Sequence, residues 1–262
     1  MCGRYSLTTP VEAVRAYFDF VELPNLPPRA NIAPRQDVAA IRVGEDDGAR
    51  HFAWLRWGLV PAWAKDEAIG DRMINARAES VADKPAFRAA FRGRRCLIAA
   101  DGFYEWRSEG TRKQPYRITL ADSQVFAFAG IWERWRNPHS NEAVETCAIL
   151  TTEAVSALRL IHHRMPVVVD PADFTAWLKP GTTAEAALGI VARQPVSAFT
   201  SYAVSTRVNS AANDDLSLLD PAEPASETPV QPRLLLDFCA PMRPASQMVL
   251  ARAGAVSRRE SP

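Results

Sequence analysis

CLIAADGFYEW, residues 96–106, is the longest apolar stretch with the composition of a β-strand, and it carries Glu105 among aromatic side chains. Shorter strand candidates follow the same pattern at 37–43, 51–57, 115–120, 125–132, 146–151, 165–169 and 199–207. Helical segments are few and short. Many short strands with few helices predict a mainly antiparallel or mixed α+β protein.

The first predicted helix begins at a capping box, Thr9 to Glu12, and runs to about Phe20. Further short helices are predicted at 85–91, 153–161, 171–179 and 183–190. Two segments rich in Pro or Gly, 21–36 and 57–63 (WGLVPAW), are predicted loops. The chain shows neither a βαβ rhythm nor a GxGxxG or P-loop motif, which argues against a Rossmann-type or kinase-type nucleotide-binding protein.

The composition supports a sizeable core, because 47% of the 262 residues are hydrophobic. The formal net charge is +1, so bulk electrostatics do not indicate a polyanionic partner. Seven basic and two acidic side chains nevertheless lie between Arg72 and Arg95. That segment fits either a phosphate-binding surface or a solvated helix face.

Cysteines stand at positions 2, 96, 147 and 239, without CxxC or Cys/His spacing, so we predict no disulfide framework, no metal site and no cofactor. The polar start MCGRYS is not a signal peptide, and no apolar run is long enough to span a membrane. We therefore expect a cytoplasmic protein. From about residue 222 the composition shifts to Pro, Ala, Ser and Arg, which predicts a domain at 2–221 and a poorly ordered appendage at 222–262.

Cys2 directly follows the initiator methionine, and removal of Met1 would give it a free amine beside its thiol. An unperturbed α-amine titrates at about 7.7–8.0 and an unperturbed thiol at about 8.5, which predicts that both are partly reactive near neutral pH. An aldehyde could form an imine with the amine, and the thiol could then close onto the imine carbon as a thiazolidine. No internal residue has this chemistry.

Three other segments carry candidate functional groups. Asn75 and Arg77 could orient an amine or a sugar and bind a phosphate, although a capped turn explains them as well. Glu105 would have a raised pKa if partly buried, unless it pairs with an arginine. His162 and His163 could shuttle protons or form a surface pair, and adjacent histidines do not converge on a metal.

Eight motifs occur in an order that resembles the SRAP (SOS response-associated peptidase) family of abasic-site shielding proteins. They are MCGRY at the start, NxAPRQ (31–36), WGLVPAW, INARAE (74–79), DGFYEW (101–106), LTT (150–152), HxRMP (162–166) and VNS…NDD (208–215). The resemblance covers roughly residues 2–220. It implies a single compact α+β domain around a twisted, barrel-like β-core.

The resemblance also implies roles for particular residues. Cys2 would crosslink the aldehyde of an abasic site in single-stranded DNA, Asn75 would position the Cys2 amine and the sugar, and Glu105 would act as acid or base. His162 would donate the proton for sugar opening and imine formation. The implied DNA contacts are the arginines Arg4, Arg77 and Arg164, together with Pro34, Trp63 and Thr151, which lie in groove-lining segments. His163 has no implied role.

Two other functions remain open at this point. An N-terminal-nucleophile peptidase or amidohydrolase could use the Cys2 thiol with its own amine as base. A non-covalent single-strand binder could use the basic stretch and the tryptophans. For the crosslinking function we expect a monomer that is associated with the nucleoid, acts in the DNA damage response and has abasic single-stranded DNA as its partner. A lyase side reaction and contacts with replication-associated proteins are compatible with it.

Overall fold

Two β-sheets and four short α-helices make up the residues that the computed structural model describes, which are 2–44, 46–121, 125–193 and 198–222. The strands are β1 (Tyr5–Leu7), β2 (Arg29–Ile32), β3 (Asp37–Val43), β4 (Arg50–Trp57), β5 (Asn75–Arg77), β6 (Arg95–Ala100), β7 (Gly102–Glu109), β8 (Arg112–Leu120), β9 (Phe126–Arg136), β10 (Ala143–Glu153), β11 (Arg164–Pro166), β12 (Val168–Val169) and β13 (Phe199–Ala203). The helices are α1 (Val11–Phe18), α2 (Arg88–Gly93), α3 (Phe174–Leu178) and α4 (Ala184–Val191). Short 3-10 turns lie at Glu67–Arg72, Ala78–Ser80, Ser156–Leu158, Pro171–Asp173, Thr206–Asn209 and Leu216–Leu219.

The larger sheet closes into a five-stranded barrel in the order β10-β4-β3-β6-β9, and β9 pairs back onto β10. The β10–β4 pair is parallel and the other four are antiparallel, so the barrel is mixed. Its interior is tightly filled, since a Cβ placed on Gly130 would lie 2.7 Å from the Cys96 Sγ atom. These features confirm the predicted α+β fold with a barrel-like core and short peripheral helices.

The predicted strand 96–106 divides at Asp101 into β6 of the barrel and β7 of the second sheet. That second sheet has the order β13-β8-β7-β1-β2. Asp101 accepts hydrogen bonds from Ser6 Oγ (2.6 Å), Thr8 Oγ1 (2.8 Å) and the Thr9 N–H (3.0 Å), and also from the Thr8 N–H. The crossing between the sheets therefore holds the N-terminal strand β1 in place.

The single-strand prediction for 96–106 was wrong because a local apolar pattern does not show where a chain changes sheets. The predicted loop 21–36 contains β2, which forms by pairing with β1 (Tyr5 opposite Ile32). The short strands β1 and β5 were not predicted, since three residues carry little periodicity. Here tertiary pairing decides the local structure.

The observed start of the first helix differs by one residue from the N-cap predicted at Thr9. The structure places the helix N-cap at Pro10, without a side-chain cap, and α1 ends at Phe18 rather than Phe20. Thr9 instead directs both its N–H and its hydroxyl to the Asp101 carboxylate. These contacts anchor the residues that precede α1 to the crossing between the sheets.

Two other predicted helices are shorter than expected. The segment 153–161 holds only the 3-10 turn Ser156–Leu158, and 171–179 holds a 3-10 turn followed by α3. Within the described residues, no helix is long and apolar enough to cross a bilayer. Residues 2–222 belong to one compact unit, and the predicted appendage lies outside the described residues except for residue 222 itself.

Candidate functional site

Cys2 lies beside β7 because β1 pairs with the start of that strand (Tyr5 opposite Phe103). The Tyr104 N–H donates to the Arg4 carbonyl at 3.0 Å and continues the ladder toward the amino terminus. The Cys2 side chain is fully buried. The Cys2 carbonyl accepts a hydrogen bond from Asn75 Nδ2 at 2.7 Å, so Cys2 is held from both sides.

Burial raises the pKa of the Cys2 thiol well above its usual range, and the nearby Glu105 charge raises it further. The expectation that this thiol is partly ionised near neutral pH was therefore wrong. A buried thiol is protonated at neutral pH, and its reaction requires a group that accepts its proton.

Asn75 reaches the site from β5, which runs parallel to β10 with Asn75 opposite Ile149. One end of its amide binds the Cys2 carbonyl. The other end, Oδ1, is buried and accepts no hydrogen bond from the described residues. A buried carbonyl oxygen without a donor costs free energy, so this atom is suited to accept from an amine or a hydroxyl that enters the site.

Glu105 lies on β7, and only 3% of its side chain is exposed. Burial raises the pKa of its carboxyl to about 7, against a smaller opposing effect of the positively charged amino terminus. A carboxyl group with this pKa exchanges its proton readily near neutral pH, which suits general acid–base catalysis.

His162 lies just before β11, with its Nδ1 atom 3.9 Å from Glu105 Oε2. Partial burial lowers the pKa of its imidazole, so the ring is mainly neutral near pH 7. Nδ1 lies 3.0 Å from the Arg164 backbone nitrogen and 3.1 Å from the Arg164 carbonyl oxygen, so the backbone of this residue fixes the orientation of the ring. The ring stacks on His163 with centroids 4.4 Å apart.

Arg164 is held by two acceptors. It forms a two-pronged ion pair with the Glu79 carboxylate, at 2.7 and 2.9 Å, and Nη2 also donates to the buried Thr151 carbonyl at 2.6 Å. Only 11% of the Arg164 side chain is exposed. A phosphate would have to share this guanidinium with Glu79, and Thr151 serves here to fix Arg164.

Arg4 is also engaged within the protein. Its Nη1 donates to Asn31 Oδ1 (3.0 Å) and to the Val208 carbonyl (2.7 Å), and its Nη2 donates to the Asn209 carbonyl (3.0 Å). Asn209 in turn accepts a hydrogen bond from Trp106 Nε1 at 2.7 Å. Arg4 thus positions one wall of the site, and its predicted phosphate contact stays a prediction.

Each of the two stacked histidines lines a different open cavity. One, of about 430 Å³, is lined by Glu105, Trp106, Lys113, His162 and Asn209. The other, of about 470 Å³, is lined by Arg77, Glu153, Arg159, His163 and Arg164. A chain that passes over the histidines would contact both cavities.

Pro34 and Trp63 line neither of these cavities. Pro34 lies in a turn whose next residue, Arg35, has a positive φ and donates its N–H to the Trp57 carbonyl. Trp63 lies in the turn after β4 with 62% of its surface exposed. An exposed tryptophan of this kind can stack on a base, and both residues stay predicted DNA contacts.

The sequence predictions missed the supporting residues of the site. Asn31, Glu79, Trp106 and Asn209 each lie within one of the eight motifs, and that membership was the available signal. Lys113 lies outside them. Among the described residues, no group of three or more His, Cys, Asp or Glu side chains could hold a metal ion.

Comparison with known proteins gives a consistent result. The profile of the family described as SOS response associated peptidase (SRAP) matches residues 1–211. Abasic site processing protein YoaM of Bacillus subtilis (strain 168) is 41% identical over 225 residues, covering 84% of this chain and 98% of YoaM. Abasic site processing protein HMCES of Pongo abelii is 31% identical over 210 residues, covering 68% of this chain and 59% of that protein.

Crystal structures of other proteins share the fold. A protein from Bacteroides thetaiotaomicron superposes with a TM-score of 0.76 at 25% identity, covering 85% of this chain and all of that one. A protein from Bordetella bronchiseptica superposes with a TM-score of 0.68 at 27% identity, covering 78% of this chain and all of that one.

Proposed function

Because this chain belongs to the SOS response-associated peptidase (SRAP) family, we propose that it captures abasic sites in single-stranded DNA as a thiazolidine on Cys2. The relatives YoaM and HMCES are named abasic site processing proteins, which supports the abasic site as substrate. The observation that carries the proposal is the Asn75 amide. One end holds the Cys2 carbonyl, and the other is a buried acceptor with no donor among the described residues.

The first step joins the ring-opened sugar to the amino terminus, after removal of Met1 has placed the free amine on Cys2. The amine nitrogen attacks the C1 aldehyde, a C–N bond forms, and one water leaves as the imine appears. Asn75 Oδ1 accepts a hydrogen bond from the attacking amine, and His162 supplies a proton to the departing oxygen. The imidazole is neutral at the start, so it takes up the proton that the attacking amine loses and returns it, as imidazolium, to the departing oxygen.

The second step closes the ring. The Cys2 sulfur adds to the imine carbon, an S–C bond forms, and the C=N electron pair takes up a proton as the secondary amine. The thiol proton passes to Glu105, whose pKa of about 7 allows it to accept at neutral pH, and Glu105 then delivers this proton to the nitrogen. No oxidant or reductant is required, and the net change is the loss of one water.

Ring closure also accounts for the protection of the strand. An imine acidifies the neighbouring C2 hydrogens and permits β-elimination of the 3′ phosphate, which is the lyase reaction. The thiazolidine has no C=N bond, so it removes that driving force. The buried thiol thus determines whether the strand is held intact or cut.

A peptidase reaction fits the site less well. A cysteine peptidase requires a thiolate, and burial raises the pKa of the Cys2 thiol far from that state. Addition of a thiol to a protonated imine needs less nucleophilic power, because the acceptor carbon is already activated.

The test is incubation of the purified protein with a single-stranded oligonucleotide that carries one abasic site. We expect an adduct that survives heat and SDS without borohydride, with the mass of protein lacking Met1 plus DNA minus one water. Cys2→Ala keeps an amino-terminal amine, so it should form only a borohydride-trappable imine and should cut the strand. Cys147→Ala removes another buried thiol, in the barrel, and should behave as wild type. A heat-stable adduct on the Cys2→Ala variant would refute the proposal.

A further inference from the structure

Lys113 is a cation in the site cavity that the catalytic scheme leaves unused. It lies on β8 opposite Ser108 of β7, and the pleat places both side chains on the face of the hairpin that carries Trp106. Lys113 lines the same cavity as Glu105, Trp106 and His162. Its charge also contributes, after several larger causes led by burial, to the lowered pKa of the His162 imidazole.

The side chain of Lys113 makes no polar contact with the rest of the described protein. Among the described residues its ammonium has no hydrogen-bond or ion-pair partner. Arg4 and Arg164 stand nearby, but their donors are directed to protein carbonyls, to Asn31 and to Glu79. Lys113 is therefore the cation of this cavity that can accept an anion without breaking an existing contact.

We propose that Lys113 binds the DNA phosphate next to the abasic sugar on the Trp106 side of His162, in addition to the phosphate contact that the family resemblance implies for Arg77 on the His163 side. This inference rests on the proposed function, since it presumes that a DNA strand crosses the stacked histidines. Arg77 is exposed and lines the second cavity, so the strand would meet one cation on each side of the lesion.

Two elementary arguments support this placement. An abasic nucleotide offers no base edge, so its position along the site must be set by its flanking phosphates and its aldehyde. A lysine presents a compact charge on a flexible stem, which tolerates the backbone distortion of a strand whose sugar is drawn into a pocket.

The test uses single-stranded oligonucleotides with a tetrahydrofuran in place of the abasic sugar, which has no aldehyde and permits only noncovalent binding. Each phosphate near the lesion is replaced in turn by a neutral methylphosphonate. For the wild-type protein, we expect neutralisation of the phosphate that Lys113 contacts to weaken binding about tenfold. Lys113→Gln should show the same loss with the normal oligonucleotide and no further loss when that phosphate is neutral.

The salt dependence provides a second readout. The slope of log K against log salt should become shallower by about 0.7 in Lys113→Gln, the contribution of one phosphate on a single strand. Lys113→Arg should keep the wild-type slope, and Arg77→Gln should couple to a different phosphate. Lys179→Gln is the matched control, because Lys179 lines neither of the two cavities.

The outcomes separate this inference from the proposed function. One outcome would contradict the Lys113 contact alone. Wild type would form the heat-stable adduct, while Lys113→Gln would keep the wild-type slope of log K against log salt and the same loss of binding for every methylphosphonate. The crosslinking function would then stand. If wild type forms no adduct with natural abasic DNA, the proposed function fails and the Lys113 assignment fails with it.

Discussion

Asp101 and Glu105 are two buried carboxylates only four residues apart, and the structure uses them in opposite ways. Asp101, at the crossing between the sheets, accepts hydrogen bonds from Ser6, Thr8 and Thr9 and pairs with Arg117 at 3.3 Å. Glu105 lies where β7 enters the site, and its burial raises the pKa of its carboxyl to about 7. Hydrogen bonds and an ion pair thus tie Asp101 into the fold, whereas burial is the main influence on Glu105 and supports its proposed role as acid or base.

We expect the largest loss of stability when the Asp101 carboxylate is removed. Asp101→Ala would leave the donors of Ser6, Thr8, Thr9 and Arg117 buried without their acceptor. We expect the free energy of unfolding to fall by about 4 kcal/mol, because the change breaks a buried charged network. Urea unfolding followed by tryptophan fluorescence measures it.

The control for Asp101 is Glu109→Ala at the far end of β7, the strand that begins directly after Asp101. Glu109 is exposed and pairs with Arg107, so its removal should change stability by less than about 0.5 kcal/mol. Equal losses for the two variants would show that the crossing between the sheets has no special energetic role.

Glu105 should make the stability of the protein depend on pH. Its carboxyl has a pKa of about 7 in the folded protein and a reference value of 4.5. The folded state therefore holds a proton that the unfolded chain releases, so stability is highest below about pH 4.5 and falls as the pH rises to about 7. Over that window Glu105 should cost about 3 kcal/mol, to the precision of one pKa unit.

The difference between wild type and Glu105→Gln isolates this contribution, because glutamine resembles the protonated acid at every pH. His162 also titrates in the window with a slope of opposite sign, since its folded pKa is lowered. It is common to both proteins and largely cancels in the difference. We expect the two proteins to have similar stability at pH 4.5 and Glu105→Gln to be the more stable at pH 8.

The contrast between the two carboxylates also marks the limit of sequence-based prediction. The α+β class could be predicted because short apolar strands are a local signal, and the barrel-like core was implied by the family that the motif order indicated. The break between β6 and β7 at Asp101 could not be predicted from the local sequence. The residues that bind Asp101, Ser6 to Thr9, lie more than ninety residues away.

Sequence-based prediction has the same limit for the residues of the candidate site. Cys2, Asn75, Glu105 and His162 were singled out by motif, and the structure brings them together. Their protonation states could not be predicted, because the raised thiol pKa follows from tertiary burial. The hydrogen bonds from Arg4 to the carbonyls of Val208 and Asn209 could not be predicted either, because these partners lie more than two hundred positions away.

Glu105 should also control the rate of adduct formation. Glu105→Gln removes the group that takes up the thiol proton but retains the shape of the side chain. We expect single-turnover capture of abasic DNA at pH 7 to slow about 100-fold, the size of effect typical of a positioned acid or base. Quenching at timed intervals and separating the adduct on a denaturing gel measures this rate.

A merely structural role for Glu105 would also slow capture, so the pH profile is the deciding readout. The wild-type rate should rise with pH through a transition near 7 that follows ionisation of the Glu105 carboxyl. Glu105→Gln should lose this transition, whereas Glu109→Gln, on the exposed part of the same strand, should keep it. If the transition survives in Glu105→Gln, the thiol proton goes elsewhere, and the Glu105 carboxylate has no more catalytic importance than Asp101.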